Sequence, residues 1–254
     1  MPKFAVIIPA AGKAERFGNE KKSFAKLDGR PLFLRAIEFF MSRSDVVQKI
    51  LAVAPEDMDM VKSTYGPNLG FMGVKLVEGG EQRCDTVEAA LRAVVPEAEY
   101  IAIHDAARPC VSYDRIDAVF DEAVKSGAAI LAVPVTATLK RVAGSNFITE
   151  TVSREGLYEA QTPQVFRRDV LEKAYAHLRS LPPYQGGSKG GPPIAITDDA
   201  QVVELSGHPV AVVAGDSMNI KVTTKSDLTL AGAILKARPS RPAPKIGAFE
   251  EAQW

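Results

Sequence analysis

Three features of the sequence predict an α/β fold with a largely parallel sheet covered on both faces. Short apolar runs rich in β-branched residues alternate with helical patterns through the first half of the chain. Such alternation implies crossover connections and strands buried on both sides. The first run, Phe4–Pro9, breaks into the small-residue turn Ala10-Ala11-Gly12, and the cations Arg16, Lys21 and Lys22 follow within one loop. Other chemistry-bearing residues also follow strand ends, where open α/β sheets hold their ligands.

Phe33, Ile37, Phe40 and Met41 are spaced as one helical face after the first strand. Residues 50–54 read as the second strand, and Pro55 opens a helix through Thr64. Residues 74–77 form the third strand, ending at Glu78-Gly79-Gly80, and Val87, Leu91, Val94 and Val95 make the next helical face. Tyr100–Ile103 is the fourth strand and runs into His104-Asp105. Ile116, Val119, Phe120 and Val124 mark a helix closed by Gly127, and residues 129–135 are the fifth strand.

The alternation stops after Thr136. Short β-prone pieces, 138–141 and 146–152, flank Gly144-Ser145-Asn146 and read as a hairpin. It cannot bury two faces alone, so it is expected to pack on another surface. A helix over 167–179 precedes a Pro/Gly-rich loop at 181–193 that has no core of its own. A helix at 199–206, strands at 210–213 and 219–223, and a helix at 226–237 complete the order, ahead of a proline-rich tail, 238–254, expected to be disordered. Residues 1–237 are read as one domain.

Charge and cysteine content narrow the function. Among 254 residues, 31 basic and 31 acidic side chains cancel, so a basic surface for nucleic acid or an anionic membrane is not indicated. Any anion site must be local. Cys84 and Cys110 form no CxxC pair, which argues against a disulfide scaffold or structural zinc and fits a reducing compartment. No apolar run approaches the roughly 20 residues of a membrane helix. Cytoplasmic location is the expectation.

Gly12 with Arg16, Lys21 and Lys22 is the first candidate site. A glycine after a strand admits a tight turn and close ligand approach, and the cations suit a polyphosphate; an ordinary solvated loop is the alternative. The spacing is neither G-x-G-x-x-G nor G-x-x-x-x-G-K-[ST], which excludes the dinucleotide fingerprint and the P-loop. Asp105, in His104-Asp105-Ala106-Ala107-Arg108-Pro109, stands at a strand end where Mg²⁺ is readily held, or else caps the next segment with Arg108 as its partner. His104 is given no catalytic role. Glu78-Gly79-Gly80-Glu81-Gln82-Arg83-Cys84-Asp85-Thr86 offers backbone groups to a base edge, or is a plain turn with Asp85 as helix N-cap. Cys84 and Cys110 read as packing residues.

Taken in order, Pro9-Ala-Ala-Gly12, Arg16, Lys22, Gly79-Gly80 with Arg83, His104-Asp-Ala-Ala-Arg-Pro109, Pro134-Val135, Thr138, Lys140, Gln161-Thr-Pro-Gln164, Thr197-Asp198 and Asn219-Ile-Lys-Val-Thr223 closely resemble the 2-C-methyl-D-erythritol 4-phosphate cytidylyltransferase family. The resemblance runs from about Phe4 to Ala237. It implies a Rossmann-like nucleotide-diphospho-sugar transferase fold, with a protruding β-arm at about 136–161 used for dimerisation. It also implies that CTP and methylerythritol phosphate yield the CDP-alcohol and pyrophosphate, a step of non-mevalonate isoprenoid synthesis.

Carried over residue by residue, it gives Arg16, Lys22 and Lys221 the catalytic charges. Ala10, Ala11, Gly12, Gly80, Glu81, Thr86 and Asp105 would receive the nucleotide. Arg108, Thr138, Arg154, Thr197 and Lys221 would hold the alditol phosphate, and Asp105 would hold Mg²⁺. Thr138 and Arg154 lie on the arm and are expected to serve the partner subunit of a homodimer. The chain departs from the family pattern at Ala14, Lys21, Glu78, Glu81 and Thr86, and the 181–193 loop reads as an insertion. Between the adjacent lysines, Lys22 takes the catalytic role and Lys21 faces solvent. No second enzyme domain follows, so a single activity is expected.

Two other readings compete. A sister enzyme acting on ribitol 5-phosphate would share the nucleotide half of the site. A nucleotide-binding protein without catalysis would have no need for cations around the α-phosphate. Pyrophosphate release with CTP and each alditol phosphate separates them.

Overall fold

The computed structural model describes residues 1–12, 22–144, 146–181 and 196–238. The chain runs β1 (Phe4–Pro9), a 3-10 turn at Lys22–Phe24, β2 (Lys26–Leu27), β3 (Arg30–Pro31) and α1 (Leu32–Glu38). It continues through β4 (Val46–Val53), α2 (Met58–Phe71), β5 (Val74–Glu78), α3 (Arg83–Leu91) and β6 (Tyr100–Ile103). Then come α4 (Tyr113–Ser126), β7 (Ala128–Pro134), β8 (Leu139–Val142), β9 (Ile148–Val152) and β10 (Tyr158–Arg167). The last elements are α5 (Arg168–Ser180), α6 (Asp199–Leu205), β11 (Ala211–Ala214) and α7 (Lys225–Ala237).

Seven strands form one sheet in the order β11-β7-β10-β6-β1-β4-β5. Every pairing is parallel except those of β10, which is antiparallel to both β6 and β7. The apolar run of β1 is continuous because both of its faces are buried. Phe4, Val6 and Ile8 enter the core with α1, α2 and α4, whereas Ala5 and Ile7 face the core with α3, α5 and α6. From β1 the chain builds outward to β4 and β5, then returns to β6 on the other side of β1. That reversal opens a crevice beyond the carboxyl ends of β1 and β6, the usual ligand position in such sheets.

Several expected elements differ. The strand expected over 219–223 does not form: Val222 is buried against Leu27, Leu32 and Cys110, and its N–H bonds singly to the Ala107 carbonyl. Burial of one side chain, rather than a ladder, shapes that segment. Conversely, the sequence-based expectation has no strand at β10, whose centre, Gln161-Thr162-Pro163-Gln164, is polar and carries a proline. Its ladder with β7 is interrupted between Ala160 and Gln164, so Pro163 falls where no ladder donor is needed. The helix expected from Pro55 starts as a 3-10 turn and extends to Phe71. Gly127 does close α4, in the left-handed region at φ 85°. β8 and β9 pair antiparallel as a separate two-stranded sheet. The 182–193 part of the expected loop and the 239–254 part of the tail lie outside the described residues.

Candidate active site

Pro9, Ala11 and Gly12 after β1, Glu81–Thr86 at the start of α3, and Asp105 after β6 line a cleft of about 110 Å³. Gly79 and Gly80 make this wall possible. A Cβ on Gly79 would lie 2.8 Å from Thr86 Cγ2 and 2.9 Å from Ala11 Cβ; one on Gly80 would lie 2.3 Å from Asp85 Cβ. Glycine is therefore demanded here by packing between the β5 end and α3. Gly12 differs: its φ is not in the left-handed region, and among the described residues nothing lies within 4 Å of a Cβ placed there. Nothing in the described residues crowds Gly12, which leaves it open to the approach of a ligand.

The α3 start is held by a reciprocal box, Gln82 with Asp85, so Gln82 is the N-cap and Asp85 stands three residues on. The Thr86 hydroxyl accepts the Gly80 N–H at 3.2 Å and donates to the Gln82 carbonyl at 3.0 Å. Thr86 thus ties down the glycine turn while lining the cleft. Ala10 is packed in the core, its N–H donating to the Ala52 carbonyl.

A second cleft, of about 220 Å³, lies beside the first and is bounded by Arg108, Gln161, Thr197 and Asp198. Arg83, Asp105 and Lys221 line both clefts. Asp105 Oδ2 sits 2.6 Å from Lys221 Nζ and 3.9 Å from Arg108 Nε, and Oδ1 sits 3.5 Å from an Arg83 guanidinium nitrogen. Burial works against its charge, but Arg83, Lys221 and Arg108 outweigh it and hold the carboxyl well below the usual carboxylate range. Asp105 is an ionised acceptor at the boundary of two clefts.

The floor beneath it is a hydrogen-bonded polar network in which the buried Asn219 Oδ1 finds no partner among the described residues. His104 is fully buried. Its Nε2 lies 3.1 Å from the Arg108 carbonyl, which can only accept, so Nε2 carries the proton and Nδ1 accepts from the Thr162 hydroxyl at 3.0 Å. Thr162 Oγ1 in turn accepts the Asp105 N–H at 3.0 Å. Burial pushes His104 down to about 4, so it is neutral and structural. Gln164 accepts the N–H groups of Asp199 and Ala200 and donates to Asp198, fixing the start of α6. Gln161 donates to the Asp216 carbonyl, and Asn219 donates to the Thr162 carbonyl.

The structure brings Ala11, Gly12, Glu81, Thr86, Asp105, Arg108, Thr197 and Lys221 to these two clefts, with Gly80 in the wall beside Glu81. Arg108 also donates to the carbonyls of Asn219 and Ala160. Thr138 and Arg154 do not line the clefts: both are exposed beside the β8–β9 hairpin, and Arg154 donates to the Thr136 carbonyl. Arg16, Lys21 and the Lys22 side chain lie outside the described residues. Sequence reasoning gives Gln161, Gln164, Asp199 and Tyr175 no individual role; the signal at Gln161–Gln164 is its place among the motifs that carry the resemblance.

For a divalent cation, the described residues contain no group of three or more His, Cys, Asp or Glu that could form a cage. A single ionised carboxylate does fit Mg²⁺, which is usually held by one or two carboxylates together with substrate phosphates and water.

A mostly parallel α/β sheet with two adjoining clefts at its reversal point, which share a carboxylate and two cations, is an arrangement suited to a transferase that joins two phosphate-bearing substrates. The family model described as 2-C-methyl-D-erythritol 4-phosphate cytidylyltransferase matches residues 4–237, and the chain belongs to that family. A relative of that name from Rhodopirellula baltica is 42% identical over 91% of this chain and 94% of its own. One from Pelotomaculum thermopropionicum is 39% identical over 97% and 100%. The crystal structure of the enzyme so named from Thermus thermophilus superposes with TM-score 0.73 at 31% identity, covering 93% of this chain and 100% of that one.

Proposed function

We propose that the cleft between β1, α3 and β6 receives CTP and the cleft beside Thr197 receives 2-C-methyl-D-erythritol 4-phosphate. The chain is a cytidylyltransferase of the family reaction, forming 4-diphosphocytidyl-2-C-methyl-D-erythritol and pyrophosphate. The observation that carries the assignment of clefts is their shared boundary at Arg83, Asp105 and Lys221. Reacting phosphates from two substrates must meet where cations serve both.

The substrate phosphomonoester has a second pKa of about 6, so it arrives largely as a dianion and needs no general base. One of its oxygens forms a bond to the α-phosphorus as the bond to the bridging oxygen of pyrophosphate breaks. In-line placement and neutralisation of phosphate charge are what the protein must supply. Arg16 and Lys22 stabilise the five-coordinate α-phosphorus and the leaving pyrophosphate, and Lys221 stabilises the phosphates from the boundary. Ala11, Gly12, Glu81 and Thr86 form the nucleotide's receiving surface, with Ala10 and Gly80 packed behind it; Arg108 and Thr197 hold the alditol phosphate. Asp105 would hold Mg²⁺, whose contribution when bound is to neutralise phosphate oxygens.

The same reading makes the protein a homodimer through its hairpin, with Thr138 and Arg154 reaching the partner's cleft. Its support is the exposure of Phe147 (76%) and Ile148 (62%), apolar surface that the hairpin cannot cover itself. Cytoplasmic location is part of the proposal; two free cysteines support it. Among the described residues no helix is long and apolar enough to cross a membrane.

The test is pyrophosphate release from CTP and Mg²⁺ with methylerythritol phosphate, with ribitol 5-phosphate as the second substrate. Faster turnover of the ribitol compound overturns the substrate assignment, and nucleotide binding without turnover of either overturns catalysis.

A further inference from the structure

Arg83 is the first residue of α3 and lines both clefts, yet beyond marking their boundary it is given no role toward either substrate. One terminal nitrogen of its guanidinium lies 2.6 Å from Asp199 Oδ2 and 3.5 Å from Asp105 Oδ1. Asp199 is fully buried at the start of α6, and its Oδ1 accepts the Tyr175 hydroxyl of α5 at 2.7 Å. The Asp199 N–H donates to Gln164 Oε1, which belongs to β10. Arg83 is therefore clamped from below by a charged partner that is itself fixed on two other sides. What it presents upward is a cation on one oxygen of Asp105, leaving the other oxygen to Lys221.

We propose that Arg83 is a positioning residue: anchored by Asp199 and Tyr175, it sets the orientation of the Asp105 carboxylate and thereby the place of the Lys221 ammonium between the two clefts. This rests on the functional reading above. Lysine in its place keeps the charge but ends one bond short of the guanidinium nitrogen that makes both contacts, so it cannot hold Asp199 while reaching Asp105 in the same geometry. Misplacing a reacting group by an ångström costs up to about 10²-fold in rate. Tyr175 touches neither cleft and acts only through Asp199 on Arg83.

The experiment is a double-mutant cycle on Arg83→Lys and Tyr175→Phe in the full chain, with kcat, both KM values and melting temperature. Arg83→Lys is expected to lower kcat about tenfold or more with the KM for CTP changed by less than about threefold. Tyr175→Phe is expected to lower kcat by about threefold, and the double variant to be no slower than Arg83→Lys, because contacts in one network are not additive. Losses that multiply, or a kcat within about threefold of wild type for Arg83→Lys, overturn the proposal. If Arg83→Lys does not fold, Tyr175→Phe decides: an unchanged kcat overturns it, and a fall at constant KM for CTP supports it. Crystal structures of the same variants give a reading independent of turnover. A displaced Lys221–Asp105 pair supports the proposal and an unmoved pair overturns it. A wild-type chain that turns over no substrate sinks the functional reading and leaves Arg83 to that structural arm.

Discussion

Beneath the clefts, Arg83 meets Asp199 at 2.6 Å with the carboxylate fully buried; on the hairpin, Arg141 meets Glu150 at 2.9 Å with both side chains more than half exposed. The distances are alike and the surroundings are not. In the first, water has been removed from the carboxylate and Tyr175 and Arg83 have taken its place. In the second, water competes for both charges. Partners also differ in sequence distance: Gln161, Thr162 and Gln164 bond to residues 34 to 58 positions away, whereas Arg141 and Glu150 are nine apart. The clefts are therefore a product of the whole sheet, while the hairpin is local structure that leaves apolar surface to be covered by something else.

The sharpest way to break that contrast is complementation between subunits. Arg154→Ala and Lys221→Ala chains should each be nearly inactive, and re-associated mixtures should recover about a quarter of wild-type activity from random pairing of symmetric dimers. No recovery would keep Arg154 within its own subunit. Asp199→Ala should cost about 3–5 kcal/mol in urea unfolding, because the part-buried Arg83 guanidinium and the buried Tyr175 hydroxyl lose the carboxylate between them; a cost below about 1 kcal/mol would put the pair in the same class as the hairpin's.

The buried floor should also respond to acid. Unfolded, His104 takes a proton near its ordinary value of 6.5; folded, burial delays this to about 4. Unfolding therefore takes up a proton between those values, so stability falls as pH drops from 6.5 to 4, by up to about 3 kcal/mol. His104→Gln should flatten that stretch of the stability–pH curve, and an unchanged slope would locate the titration elsewhere. On the catalytic side, Lys22→Ala should remove at least ~2.7 kcal/mol of transition-state stabilisation, the size of one preorganised donor. Turnover close to wild type would end its assigned role. Smallest of all, Glu150→Ala should change stability by under about 1 kcal/mol, checked by the same urea titration.

Much of the scaffold is legible in the sequence because it depends on local pattern. β1, β6 and β7 are apolar runs, α4 ends at a glycine in the left-handed region, and Asp105 stands at a strand end. β10 is not legible, since its polar residues look unfit for a core until their partners are known. The same holds for 219–223, whose β-branched residues favour a strand, whereas the segment is fixed by burial of Val222 and a single bond to Ala107.

The sequence alone determined the class of fold, the family, and the presence of a cationic loop and a carboxylate after two strands, because hydrophobic period and motif order are carried by near neighbours. Only the tertiary structure decided that Asp105, Arg83 and Lys221 form one boundary, that Gly79 and Gly80 are required by close packing, and that His104 is a neutral brace. Those properties depend on which distant groups replace water around a buried charge, and chain spacing does not encode that.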